Sequence, residues 1–105
     1  MSNSVLTNHQ IRLAARPVGL PTADNWTHIS EPVRELADDE ILVKTLYISI
    51  EPAMRGWVNA AANYSKPVEI GEVMRSFAAG EIIESHHPDW AVGTAVAGMF
   101  GWQEY

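Results

Sequence analysis

Ten consecutive residues, Ile41–Ile50 (ILVKTLYISI), constrain the fold of this chain more than any other segment. The run is β-branched, apolar and nearly uninterrupted, which reads as a strand buried on both faces. It falls well short of the roughly 20 apolar residues that span a membrane, and no other apolar run is longer. Shorter segments around it alternate in the period of a strand. His9–Arg16 (HQIRLAAR) places Ile11, Leu13 and Ala15 on one face. Trp26–Val33 (WTHISEPV) sets Trp26, His28 and Ser30 against Thr27, Ile29 and Glu31, with Pro32 marking an edge. Gly80–Ser85 (GEIIES) and Thr94–Phe100 (TAVAGMF) add two more, the last rich in small residues, as in a closely packed barrel. Turns separate them at Arg16–Pro21 (RPVGLP), Leu36–Glu40 (LADDE) and His86–Asp89 (HHPD). Helix is confined to the stretch from Glu51 to Asn63. Pro52 suits the first helical position, and Glu51 before it suits the positive end of the dipole. Gly56 weakens the segment, so one or two turns are expected, then a loop through Tyr64–Pro67. The fold class that follows is mainly β: a partly open barrel with one or two short helices.

Composition narrows the function. The chain has 105 residues, 47% of them apolar and four of them Trp, enough for one domain with a modest core. Its net charge of -6 and only seven scattered Lys and Arg argue against a nucleic-acid partner. There is no cysteine, which removes disulfides, thiol nucleophiles and thiolate metal sites and suits a cytoplasmic protein. The polar start, Met1–Gln10, carries no secretory signal, and no membrane association is expected. His86 and His87 are adjacent, so in extended chain they point to opposite faces and cannot readily share a metal. They read as a solvated turn; His9 and His28 stand alone.

The order of the segments resembles a known family. Arg16–Pro21 is similar to the R-P-x-G-x-P opening of the zinc-independent medium-chain dehydrogenase/reductases that include curcumin, alkenal and prostaglandin reductases. Leu46–Gly56 (LYISIEPAMRG) resembles their L-Y-L-S-x-D-P-Y-M-R-G, and Pro67–Met74 (PVEIGEVM) their P-V-x-I-G-x-V-M. Glu84–Asp89 (ESHHPD) and Gly101–Tyr105 (GWQEY) resemble E-S-x-H-P-D and G-W-Q-x-Y. Five blocks in the right order make the signal specific. The resemblance implies a truncated GroES-like barrel on the substrate side of an NADP-dependent oxidoreductase. That enzyme reduces the C=C bond of α,β-unsaturated ketones or aldehydes. Two departures stand out. Ala53 occupies the position where the family carries Tyr, and Arg75-Ser76-Phe77-Ala78-Ala79 replaces a glycine-rich stretch, so Phe77 could refill the pocket or alter substrate choice. Zinc-dependent cousins have G-H-E-x-x-G where this chain has Arg75–Gly80 (RSFAAG). Neither His nor Glu stands there, so no zinc is expected.

Conjugate reduction needs a donor at the carbonyl oxygen and a proton for the α-carbon. By resemblance, Tyr64 matches a pocket tyrosine, and a loop tyrosine packed on the barrel is the alternative. Tyr47, within the strand, is expected in the core. Pro52, Met54 and Arg55 belong to the segment that faces the cleft in the family. Arg55 either touches a cofactor or a carboxylate-bearing substrate, or pairs with Glu51 at i,i+4. Met54 either lines an apolar pocket or packs in the core, and Trp57 and Trp102 are expected in the core. No G-x-G-x-x-G turn follows any strand, so the dinucleotide domain is expected outside this chain and NADP bound mainly there. The chain alone is then expected to be inactive, and its uncovered edges to favour a homo-oligomer. A stand-alone GroES-like binding module without chemistry is the competing reading.

Overall fold

A computed structural model describes residues 6–60 and 66–105. Among these residues are five strands in two open sheets, one short α-helix and a 3-10 turn at Ala23–Asn25. Strands β1 (Thr7–Leu13) and β2 (Trp26–Pro32) form an antiparallel pair, with Leu13 opposite Trp26 and Thr7 opposite Pro32. The second sheet runs β3–β4–β5, antiparallel throughout, from β3 (Ile41–Ile48), β4 (Ala78–Ser85) and β5 (Ala95–Gly98). Helix α1 (Met54–Trp57) is a single turn. This is the mainly β, open architecture expected from the sequence.

β1 stops at Leu13 rather than Arg16, because Asn25 captures the next residues. Its carbonyl accepts from Ala14 N (2.8 Å) and Ala15 N (3.3 Å), and its side chain donates to Ala15 O (3.2 Å). Both faces of β1 are used. Leu13 enters the apolar core, while Asn8 and Gln10, on the other face, are buried amides. They converge on Gln103 Oε1, from Asn8 Nδ2 at 3.0 Å and Gln10 Nε2 at 2.9 Å. Ile11 N to Trp102 O (3.0 Å) and Trp102 N to Met74 O (2.9 Å) tie the Gly101–Tyr105 segment into the same seam.

The core is Leu13, Met54, Trp57, Val58, Val68 and Met74, with Trp26 and Trp102 packed against it. The two indoles meet at 5.3 Å with their planes tilted by 43°, a geometry that aromatic pairs favour. Trp57 is thus core as expected; Trp102 is half-buried at its margin. Arg16 holds this half together. One of its nitrogens donates to the carbonyls of Val58 (3.0 Å), Asn59 (3.0 Å) and Val68 (2.9 Å). Those carbonyls flank the end of α1, where an isolated turn leaves acceptors unpaired.

The three-stranded sheet departs from the sequence reading. β3 was expected to be covered on both faces, yet only Leu42 is buried, and Leu46, Tyr47 and Ile48 are exposed. Tyr47, expected in the core, is 75% exposed. The physical reason is that β3 is an outer strand and that none of the described residues covers the side chains of its second half. Its register against β4 slips between Leu42 and Val43 and again between Thr45 and Tyr47, which changes the sidedness of the run. β5 is likewise shorter than the Thr94–Phe100 run and largely exposed, not tightly packed. β3 and β4 approach closely at Gly80, where a Cβ would sit 2.3 Å from Lys44 O, so only glycine fits.

Candidate active-site wall around helix α1

The segment Ser49–Val58 is where the strand period gives way to a turn of helix. Ser49 N donates to Phe77 O (2.8 Å), the end of the ladder, and Pro52 then supplies no donor. Pro52 was expected as the first helical residue. Instead Pro52 and Ala53 form a tight turn, bonded Met54 N to Glu51 O (3.1 Å) and Arg55 N to Pro52 O (3.2 Å), and the helix proper begins at Met54. Gly56 and the short span explain why it ends after four residues.

This turn separates two cavities. The first, about 430 Å³, is lined by Leu20 and Pro21 of the proline–glycine loop, Trp26, Ile50, Met54 and Trp102, with Arg55 at its edge. The second, about 510 Å³, is lined by Ala53, Trp57, Lys66, Arg75, Phe77 and Met99. Glu51 lines both.

The sequence-derived residues fall as follows. Met54 is buried and lines the first cavity, so it serves as core and wall together. Arg55 lines the same cavity, and the pair with Glu51, one of the two alternatives the sequence left open, does not form. Its guanidinium donates to Gly19 O (3.0 Å), Pro17 O (3.2 Å) and Asn59 Oδ1 (2.6 Å). Arg55 therefore fixes the proline–glycine loop against α1. Pro52 lies exposed on the turn, flanked by Glu51 and Ala53, which reach the cavities. Tyr64 lies outside the described residues.

Ala53 and Phe77, the two departures from the family pattern, line one cavity. An aromatic missing from the helix side is met by an aromatic from the strand side of the same space. Sequence reasoning missed Leu20 and Lys66. For Leu20 the available signal was a large apolar residue in a proline–glycine turn; it is 87% exposed where burial would be the default.

Among the described residues, no three of His, Asp and Glu gather as a metal-ligand set. His86 lies 3.4 Å from Glu84, and His87 Nδ1 accepts from Asp89 N at 3.0 Å. His9 Nδ1 contacts Glu104 Oε1, and that bond, with the donation from His9 N, holds the Glu104 carboxyl below the usual range. No helix among the described residues is long and apolar enough to cross a membrane.

A family model described as the N-terminal domain of oxidoreductase matches residues 9–105. The chain belongs to this family. The domain is 38% identical over 98 residues to the NADPH-dependent curcumin reductase of Escherichia coli, covering 93% of this chain and 28% of that protein. It superposes on the crystal structure of CurA from Vibrio vulnificus with a TM-score of 0.89 at 40% identity, covering 92% of this chain and 29% of that one. Against CurA of the same organism in complex with NADPH the TM-score is 0.87 at 38% identity, covering 91% and 28%. The chain thus spans less than a third of the length of these relatives, and what it matches is their GroES-like part.

Proposed function

We propose that this chain supplies one wall of the active site of a larger NADPH-dependent oxidoreductase, which reduces the C=C bond of α,β-unsaturated ketones or aldehydes. The observation that carries the reading is the backbone match, at 38% identity, to CurA in complex with NADPH. The residues do not fit the dinucleotide's phosphates. Every strand pair in the two sheets is antiparallel, and no strand feeds a helix through a glycine turn, so the described residues lack a pyrophosphate cradle. Dinucleotide binding is assigned to the remainder of the larger protein.

What these residues contribute is a shaped apolar surface. Trp26, Met54 and Trp102 exclude water from one side of a bound enone, which strengthens any hydrogen bond to its carbonyl oxygen as negative charge builds there. We assign that donor role, or delivery of the α-carbon proton, to the Tyr64 hydroxyl. Pro52 and Arg55 hold the turn and the proline–glycine loop in place around the cavity.

The test is product analysis with the full-length protein, NADPH and a simple enone. Saturated ketone in step with NADPH consumption is expected; allylic alcohol, or no consumption, overturns the reading. The 105-residue chain alone is expected to show no micromolar NADPH binding by fluorescence titration, and binding there would instead place the dinucleotide site in this domain.

A further inference from the structure

The loop of residues 16–22 is anchored at both ends and at its tip. Two arginines grip it reciprocally. Arg16, at its start, donates to the carbonyls of Val58 and Asn59, each at 3.0 Å, just beyond α1. Arg55, on α1, donates back to the loop carbonyls of Pro17 (3.2 Å) and Gly19 (3.0 Å). At the far end Thr22 N donates to Asn25 Oδ1 (2.7 Å). Gly19 bends the loop between these anchors with a φ of 73°, in the left-handed region that favours glycine. Yet the apolar side chains the loop carries gain little burial from this: Val18 is 98% exposed and Leu20 87%. A rigidly held loop with large apolar side chains at its surface is built to present them. Leu20 lines the cavity of about 430 Å³ together with Ile50, itself 79% exposed, and with the more buried Trp26, Met54 and Trp102.

We propose that Leu20 sets specificity for the apolar substituent of a bound enone, and that Arg55 is the positioning residue that holds Leu20 where that substituent lies. The inference rests on the enone-reductase reading above. A lip ordered in advance favours binding, because the loop's freedom is already given up before substrate arrives. Arginine suits the task. Each of its three guanidinium nitrogens holds one acceptor, Gly19 O, Pro17 O or Asn59 Oδ1, in a fixed fork that a lysine ammonium cannot reproduce. With those donors so engaged, Arg55 acts on the substrate through Leu20.

The experiment measures kcat/KM of the full-length protein for two α,β-unsaturated methyl ketones, one with a hexyl and one with a methyl group on the β-carbon, and takes their ratio. The ratio cancels any change common to both substrates, such as less folded protein or weaker NADPH binding. Leu20→Ala is expected to lower the hexyl-to-methyl ratio about tenfold, the size of an apolar contact that one substrate loses and the other never had. Arg55→Lys is expected to lower it likewise, through KM for the hexyl ketone rather than kcat. The double variant is expected to go no lower than the single ones, because both changes remove the same contact. Effects that multiply overturn the role given to Arg55. A ratio unmoved by Leu20→Ala overturns the whole inference and leaves the enone reading intact; reduction of neither ketone overturns both.

Discussion

The half of the molecule around β1, β2 and α1 and the half built from β3, β4 and β5 are stabilised by different means. In the first, side chains from five separated segments close a core in which Leu13, Val58 and Val68 are 0%, 1% and 1% exposed. In the second, buried apolar residues within the strands are few — Leu42, Ala78 and Ile82 — while Tyr47, Ile48, Phe77, Val92 and Met99 face outward. The total accessible surface of 6648 Å² exceeds the roughly 5,800 Å² of a compact monomer of this mass. The radius of gyration of 15.2 Å exceeds the roughly 13 Å of a compact domain of this length. The comparison teaches that the first half is a packed unit, whereas the second is a backbone-bonded sheet whose side chains await a cover.

The largest effect that could break this comparison is at Leu13. Leu13→Ala is expected to destabilise the chain by about 2–5 kcal/mol, as for other fully buried leucines, measured by urea unfolding. Tyr47→Ser, in the other half, is expected to stay within about 0.5 kcal/mol; a loss as large as that at Leu13 would show that β3 is covered after all. Next in size is Gly80→Ala. A Cβ there meets Lys44 O at 2.3 Å, so β3 and β4 must part, at a cost of about 1–3 kcal/mol. That would sharpen the contrast, because the uncovered sheet would then prove intolerant in its backbone and tolerant in its side chains. An unchanged unfolding midpoint would remove the distinction.

The smallest effect lies at the turn that joins the two halves. Arg34 bonds both carboxylate oxygens of Glu40 at 2.7 Å, and Ala37 N donates to the same group at 2.7 Å. The Arg34 bond first, and the backbone donor second, bring the Glu40 carboxyl down from its ordinary 4.5 to about 2. Since the folded-state value is the lower one, this turn's contribution is complete above about 4.5 and is lost as the pH falls toward 2. Because the pair is exposed, the effect is modest and salt-sensitive. Carboxyl NMR should find Glu40 titrating near 2, and Arg34→Ala should move it back up; a carboxyl that titrates at its ordinary value in both proteins would disprove the contact.

Strand positions were legible because alternation and proline–glycine punctuation are local. What covers a strand is not local. Ile41–Ile50 reads as doubly buried from composition alone, and only the outer position of β3 reveals Tyr47 as exposed. The reverse holds at Gln10, which sits among the polar positions of an alternating strand, and at Asn8, which precedes the strand as the sequence reads: both are buried against Gln103, 93 and 95 residues away. Arg55 shows the same competition: a local i,i+4 partner, Glu51, loses to the carbonyls of Pro17 and Gly19, 38 and 36 residues distant. At the candidate site, the departures at Ala53 and Phe77 were visible as sequence, but their sharing of one cavity depends on how α1 meets β4.

The two register slips between β3 and β4 carry one more implication. An outer strand with apolar residues at Leu46, Tyr47 and Ile48 would ordinarily template further strands and seed fibril growth. Each slip is the kind of irregularity that bends a strand, Thr45 N on the outer edge of β3 is already bonded to Glu104 O at 2.8 Å, and the exposed Lys44 puts a repelling charge on that strand. An edge that is irregular, partly bonded and charged is a poor template for an identical strand.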